Sequence, residues 1–332
     1  MEQPSLFGAD TEPRPAVGRV KPAQLPAEVH ELATRLAERW GGRLFLGTSS
    51  WHFPGWAGLV WDREYPEATL SRQGLAAYAQ HPLLRTVSLD RAFYRPLDAA
   101  TYRRLAAQVG EDFRFLVKAP SAVSDAVLRS EGSGAPMEPN PLFLEPQAAL
   151  DLCVRPALEG LGGKLGVLVF QVSPLPRRWL QPDALLQPLE ALWRAVVPAL
   201  PATVRVALEL RDAATLTPAL AALLKAHGVA WCLGLHDRMP AIDDQLPMQR
   251  AMWPGDLVCR WNLQRGLRYT QAKASWEPFD RLQGPDLPTR ATLARVLRGT
   301  LGAGHSAFVI VNNKAEGSAP LSVLELARLL LA

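Results

Sequence analysis

The chain is poor in cysteine. Its three residues, Cys153, Cys232 and Cys259, lie far apart and form no CxxC pair, which excludes a disulfide framework or a Cys/His zinc site and suits a reduced compartment. No apolar run approaches the ~20 residues that span a bilayer, and the N-terminus has neither the basic start nor the apolar core of a signal peptide. A soluble, cytoplasmic protein with no membrane association is therefore expected. Lysine is scarce too, since 30 of the 36 basic residues are arginine, and a net charge of +4 is too small for a polycation. What is abundant is ordinary core material: 48% of residues are hydrophobic and 20% charged, which excludes wholesale disorder and fibrous architectures.

Residues 1–26 carry Pro4, Pro13, Pro15, Pro22 and Pro26 among small and polar residues, and read as a disordered tail. A helix over 27–42 follows, with Val29, Leu32, Leu36 and Trp40 on one face. From residue 43 to 332 eight strand-like runs alternate with helical patterns. The runs are 43–48, 84–90, 113–119, 165–171, 204–210, 229–236, 256–261 and 307–312. The helical patterns lie near 75–81, 98–109, 144–161, 182–197, 215–227, 243–251, 289–301 and 320–331. Eight strand-then-helix units predict an α/β fold, a (β/α)8 TIM barrel. Segments entering strands are short, whereas 49–74, 119–143 and 262–288, each following a strand, are long. In such a barrel the long loops open together on the C-terminal face, where active sites lie. Within them SEGSGAPMEPNP, 130–141, reads as a mobile lid or a disordered insertion.

Six segments occur in a characteristic order: GTSSWHFPGW (47–56), AFYRP (92–96), FRFLVKAP (113–120), LGVLVFQVSP (165–174), ALELR (207–211) and NNKAEGSAP (312–320). Together they resemble the YecE-like family, a domain of unknown function, over about residues 43–331. The resemblance implies a TIM barrel and leaves the chemistry open. It also implies a Glu and an Asn in the second strand, where Ser88 and Asp90 stand here, and Arg-x-His-Gly near the seventh, where Arg260-Trp261-Asn262-Leu263 stands. Only Arg260 carries over, so a divergent member is expected.

Barrel geometry would gather the polar residues at the strand ends around one opening. Asp90, Glu209, His236 and Asp237 are too few ligands for a metal cluster, and His52 reads as a loop residue beside Trp51 and Trp56, so neither metal nor cofactor is expected. Two-carboxylate glycoside hydrolysis would pair Glu209 with Asp90 or Asp237, because the fourth strand ends in Gln171 rather than an acid. A Schiff-base lyase would use Lys118. Pairs such as Lys118 with Glu209, or Asp90 with Arg91, would be purely structural.

The reading these residues support best is an anionic, phosphorylated ligand, a nucleotide or a nucleic acid. Lys118, Arg211 and Arg260 would form a cationic floor that Arg95 and Lys314 extend, and Gln171, Asn312 and Asn313 would orient the ligand. Trp51, Trp56, Tyr94, Trp261 and Trp276 would offer flat faces to a base. Catalysis, if present, would be that of a metal-independent hydrolase or lyase with Glu209 as base and Lys118 holding charge. The alternative is a non-catalytic DNA-associated binding protein. Its tail, through Gln3, Leu6 and Phe7, resembles the Q-x-x-L-F peptide that docks on a bacterial DNA polymerase sliding clamp.

Overall fold

In a computed structural model that describes residues 19–130, 135–181 and 183–332, eight parallel strands close into a barrel. They are β1 (Leu44–Thr48), β2 (Thr86–Leu89), β3 (Arg114–Lys118), β4 (Leu165–Gln171), β5 (Arg205–Glu209), β6 (Ala230–Leu235), β7 (Leu257–Trp261) and β8 (Ala307–Val311). Each pairs with its neighbours in sequence, and β8 closes on β1 with Leu44 opposite Ala307 and Thr48 opposite Val311. Every expected strand is present, shortened by at most two residues at an end.

Two-residue alternation divides the strands between two cores. Phe45, Leu116, Val167, Val169, Ala207, Cys232, Val258, Phe308 and Ile310 fill the barrel. Leu46, Val117, Leu168, Leu208, Leu233, Cys259 and Val309 face the helices outside. Phe45 and Phe308 stack at 4.4 Å between ring centroids and close the interior. At Gly47 a Cβ would stand 1.8 Å from the Thr86 carbonyl oxygen, so the first strand can approach the second only with glycine there.

The N-terminal helix spans Ala27–Trp40 and buries Val29, Leu32, Leu36 and Trp40. Truncating one such leucine to alanine costs ~2–5 kcal/mol in a packed core. The expected helix over 144–161 begins at Pro146 and carries a π segment, Leu150–Val154. Pro156, just after it, has no N–H for the ladder, which accounts for the change of register.

Two expectations need correction. Residues 20–26 do not behave as a loose tail: Val20 is buried, Ala23 N–H donates to the Val60 carbonyl at 2.9 Å, and Asp62 N–H donates to that of Lys21 at 3.2 Å. The segment has little core of its own and gains its burial from the loop after β1. Residues 136–139 are likewise not an unstructured insertion, since Pro136–Pro139 pairs antiparallel with Val127–Arg129. Gln3, Leu6 and Phe7 lie outside the described residues. Among the described residues no helix is long and apolar enough to cross a membrane.

Candidate functional site

Directly above the apolar barrel interior, the strand ends replace carbon with charge. Lys118 from β3, Gln171 from β4, Glu209 from β5 and Arg260 from β7 occupy the next inward positions, and all four are buried. Glu209 sits at the centre. Its Oε1 lies 2.6 Å from Arg211 Nη2 and its Oε2 2.6 Å from Arg260 Nη1. Arg260 Nη2 donates to both Asp90 oxygens, at 2.9 and 3.0 Å, and Ser88 donates to Asp90 at 2.6 Å. The Gln171 side-chain oxygen accepts from Arg211 at 3.1 Å and from Arg260 at 3.2 Å.

This geometry changes the role of Glu209. Burial alone would push its carboxyl up, but the Arg211 and Arg260 guanidiniums, helped by Lys118, outweigh that and hold it down at about 2. Both of its oxygens are engaged by guanidiniums, so Glu209 stands as the counter-ion of Arg211 and Arg260. Arg260 is the converse: burial opposes its charge, and Asp90 and Glu209 restore it, well above the ordinary arginine value.

Lys118 differs from both arginines. The expected Lys118–Glu209 and Asp90–Arg91 pairs do not form, because Glu209 and Asp90 are both engaged by guanidiniums. Among the described residues no carboxylate lies within ion-pair distance of Lys118 Nζ, which instead stands 3.9 Å from the centroid of the Phe93 ring. Burial, only partly offset by Asp90, lowers its ammonium to about 8.

Beside this cluster a cleft of about 340 Å³ is lined by Trp51, Asp90, Arg91, Tyr94, Tyr269, Asn312 and Lys314, among others. Tyr94 is 81% and Tyr269 58% exposed, so both rings are open to a ligand. Lys314 stands 4.3 Å from the Tyr269 ring centroid and 3.4 Å from Asn312 Oδ1. Burial and then Lys273 lower its ammonium to about 8. A second cleft, about 690 Å³, lies on the other side of Tyr94 and is lined by Phe93, Asp125, Leu128, Met137 and Ser173.

Several expected site residues have other tasks. Asn313 is buried, accepting from the Trp56 indole at 3.1 Å and from Ala319 N–H at 2.8 Å, so it fastens the first loop to the last helix. Trp261 faces the outer core, and Trp276 packs with Leu263, Ala272 and Phe279 inside the loop after β7. Trp51 lines the cleft, but it is buried, its N–H donates to the Leu70 carbonyl and its ring carries Arg91 at 5.1 Å. Arg95 is exposed beyond the short helix Arg91–Tyr94 and lines neither cleft. Asn312 donates to Ser49 at 2.8 Å on the cleft wall. His236 pairs with Asp237 at the rim, and burial, with Arg211 near, lowers its imidazole to about 4, so it is neutral near pH 7.

Sequence reasoning missed Tyr269 and Phe93, and named Arg91 only as a structural partner of Asp90. Tyr269 stands in a long loop without periodicity, where nothing separates it from the buried Trp276. Phe93 and Arg91 flank residues that were singled out, and the short helical turn that aims them has no signature of its own. Among the described residues no three His, Cys, Asp or Glu side chains converge as a metal site would require.

A closed parallel (β/α)8 barrel with a polar cluster at the C-terminal mouth defines a scaffold of very broad use, which by itself names no activity. Within that class, residues 45–332 match the family described as protein of unknown function DUF72, and the chain belongs to it. It is similar to a DUF72 family protein from Thermotoga maritima MSB8, with 19% identity and a TM-score of 0.57 over 87% of this chain and all (100%) of that one. A DUF72 family protein from Enterococcus faecalis V583 is similar at 18% identity and a TM-score of 0.54, covering 87% of this chain and 95% of its own. At such identities the likeness speaks for the fold alone. No curated protein matches the chain.

Proposed function

We propose that the barrel mouth binds a small phosphorylated ligand carrying a flat ring, a nucleotide being the simplest chemistry of that kind. One observation carries the reading. Lys118 and Lys314 are buried amines at the mouth without a carboxylate in ion-pair distance among the described residues, while the nearby carboxylates are engaged by guanidiniums. Arg211 and Arg260 take up the two carboxylates, Glu209 and Asp90, and Lys118 beside them adds a positive charge that neither carboxylate pairs. Arg211 Nη1 adds a buried donor with no partner among the described residues. An anion supplies what these groups lack, through charge-assisted hydrogen bonds of ~1.5–3 kcal/mol each. Tyr94 and Tyr269 supply stacking faces beside it.

Calorimetric titration with nucleoside monophosphates and the parent nucleosides tests this. Phosphates should bind at least about ten-fold more tightly than nucleosides, and Lys314→Ala should weaken the phosphates alone by about ten-fold. Equal affinity for both would sink the proposal.

The exposure of both tyrosines favours a second reading, in which successive bases of a single strand stack across the mouth and residues 3–7 bring the protein to a sliding clamp. A single-stranded oligonucleotide in the same titration separates the two. Affinity far above that of the monophosphate and falling steeply with salt belongs to the strand.

A further inference from the structure

Lysine amines in proteins are ordinarily kept charged by a carboxylate or by water, and four of the other lysines here follow that rule. Lys164 pairs with Glu111 and Lys273 with Glu277, Lys225 donates to the Trp253 carbonyl, and Lys21 is exposed. Two do not: Lys314 is buried with Asn312 Oδ1 at 3.4 Å as its acceptor, and the other is Lys118. Its side chain is almost wholly buried at the inner end of β3, and Nζ lies against the face of Phe93. Phe93 in turn lines the larger of the two mouth clefts, and Ser88 and Asp90, from the strand beside Lys118, line the smaller. Lys118 itself lines neither cleft; its amine lies one ring behind the larger, against Phe93, and Tyr94 is the residue the two clefts share.

We propose that Lys118 is a nucleophile that forms an imine with a carbonyl group of the bound ligand. The ligand class is thus narrowed to phosphorylated or otherwise anionic aldehydes and ketones, and the inference rests on the anion-binding reading above. In the step, the lone pair of the neutral Nζ attacks the carbonyl carbon, a C–N bond forms and the carbonyl π pair moves to oxygen. The two amine protons leave with that oxygen as water when the C–O bond breaks and the C=N bond forms. No oxidant or reductant is needed.

The surroundings suit each stage. Burial keeps a useful fraction of the amine neutral near pH 8, against the opposing pull of Asp90 and Glu209, and Arg260 and Arg211 add to the effect of burial. Once the imine nitrogen is protonated, its charge stands where the ammonium stood, over the Phe93 ring. Glu209 is held ionised by two guanidiniums, so it steadies that charge without taking the proton.

The test uses the whole chain and pyridoxal phosphate as a reagent, because it joins an aldehyde, a phosphate and a flat ring. Borohydride reduction after brief exposure, followed by peptide mapping, shows which of the six lysines is labelled. At pH 7.5 Lys118 should be labelled about ten-fold or more faster than Lys21, with a midpoint near pH 8, because an ordinary lysine with pKa ~10.4 is almost wholly protonated there. Inorganic phosphate should protect it. Lys118→Arg, which keeps the charge without an amine nucleophile, should lose the adduct, whereas Lys21→Arg, at an exposed lysine outside both clefts, should retain the adduct and nucleoside monophosphate binding. Labelling of Lys314 or surface lysines with Lys118 untouched would overturn the imine and leave anion binding standing. Absence of both the adduct and monophosphate binding would remove the inference together with the reading beneath it.

Discussion

Two buried arginine–glutamate systems lie in this barrel, and they differ in what they leave over. Under the last helix, Arg290 Nη2 lies 2.7 Å from Glu316 Oε1, the same oxygen accepts from Asp286 N–H at 2.7 Å, and Glu325 lies 3.8 Å from Arg290 Nη1. Arg328 also pairs with Glu325, at 2.5 Å, so two cations face two carboxylates and the charges balance, and the Glu316 carbonyl also accepts from Gln283 and Gly284. The result ties the loop after β7 to the NNKAEGSAP segment. At the mouth two guanidiniums take up two carboxylates, and the Lys118 amine is left over behind the cleft-lining Phe93. The same pair of residue types therefore fastens a loop in one place and leaves binding capacity in the other. Stoichiometry and access distinguish them better than burial does.

The largest effect should come from breaking the closed system. Arg290→Met leaves Glu316, which is wholly buried, with one backbone donor in place of a guanidinium. Removing one partner of a buried pair costs ~3–5 kcal/mol, so chemical denaturation should show a loss of that order. A loss below 1 kcal/mol would mean that the Arg290 pair does not fasten the loop, and the comparison would fail on its structural side.

Glu209→Gln should cost less, on the order of 2 kcal/mol, because its partners keep other acceptors: Arg260 retains both Asp90 oxygens, and both arginines retain Gln171. The folded Glu209 carboxyl is depressed to about 2, below the ordinary ~4.3. Its contribution is therefore present above pH ~4.3 and lost as pH falls toward 2. Glu209→Gln should accordingly flatten the acid limb of the stability profile. An unchanged limb would show that the carboxylate is not held by its guanidiniums.

How much of this was legible beforehand follows from where information resides in the chain. The eight strands were, because runs such as LGVLVFQ and AFVIV are buried on both faces of a parallel barrel and read as continuous apolar segments. That Lys118, Gln171, Glu209 and Arg260 would meet was also legible, since they stand at strand ends of one barrel. Which charge meets which was not: Arg260 reaches Asp90 across 170 residues of sequence, through barrel closure rather than any local pattern. Trp261 could have been assigned outward from Arg260 by the two-residue alternation of β7. Asn312 and Asn313 could not be separated in this way. The strand ends at Val311, and a short helical turn, Asn313–Ala315, then sets their directions.

The smallest and most telling effect concerns Lys118 itself. Burial lowers its folded pKa to about 8, below the ordinary ~10.4, so the unfolded chain holds the proton more tightly and the folded protein gains stability as pH rises from about 8 to ~10.4. Below that window the buried ammonium is a standing cost. Lys118→Met replaces it with an unbranched apolar chain of similar length against Phe93, and near pH 7 should stabilise the fold by ~1 kcal/mol, raising the thermal midpoint while abolishing the borohydride-trapped adduct. The gain should shrink as the pH approaches 10, where the wild-type amine is neutral. A destabilised variant at neutral pH would mean that Lys118 is an integral cation of the network, like Arg260. The contrast between a closed system that serves the fold and an open one that serves a ligand would then lose its strongest member.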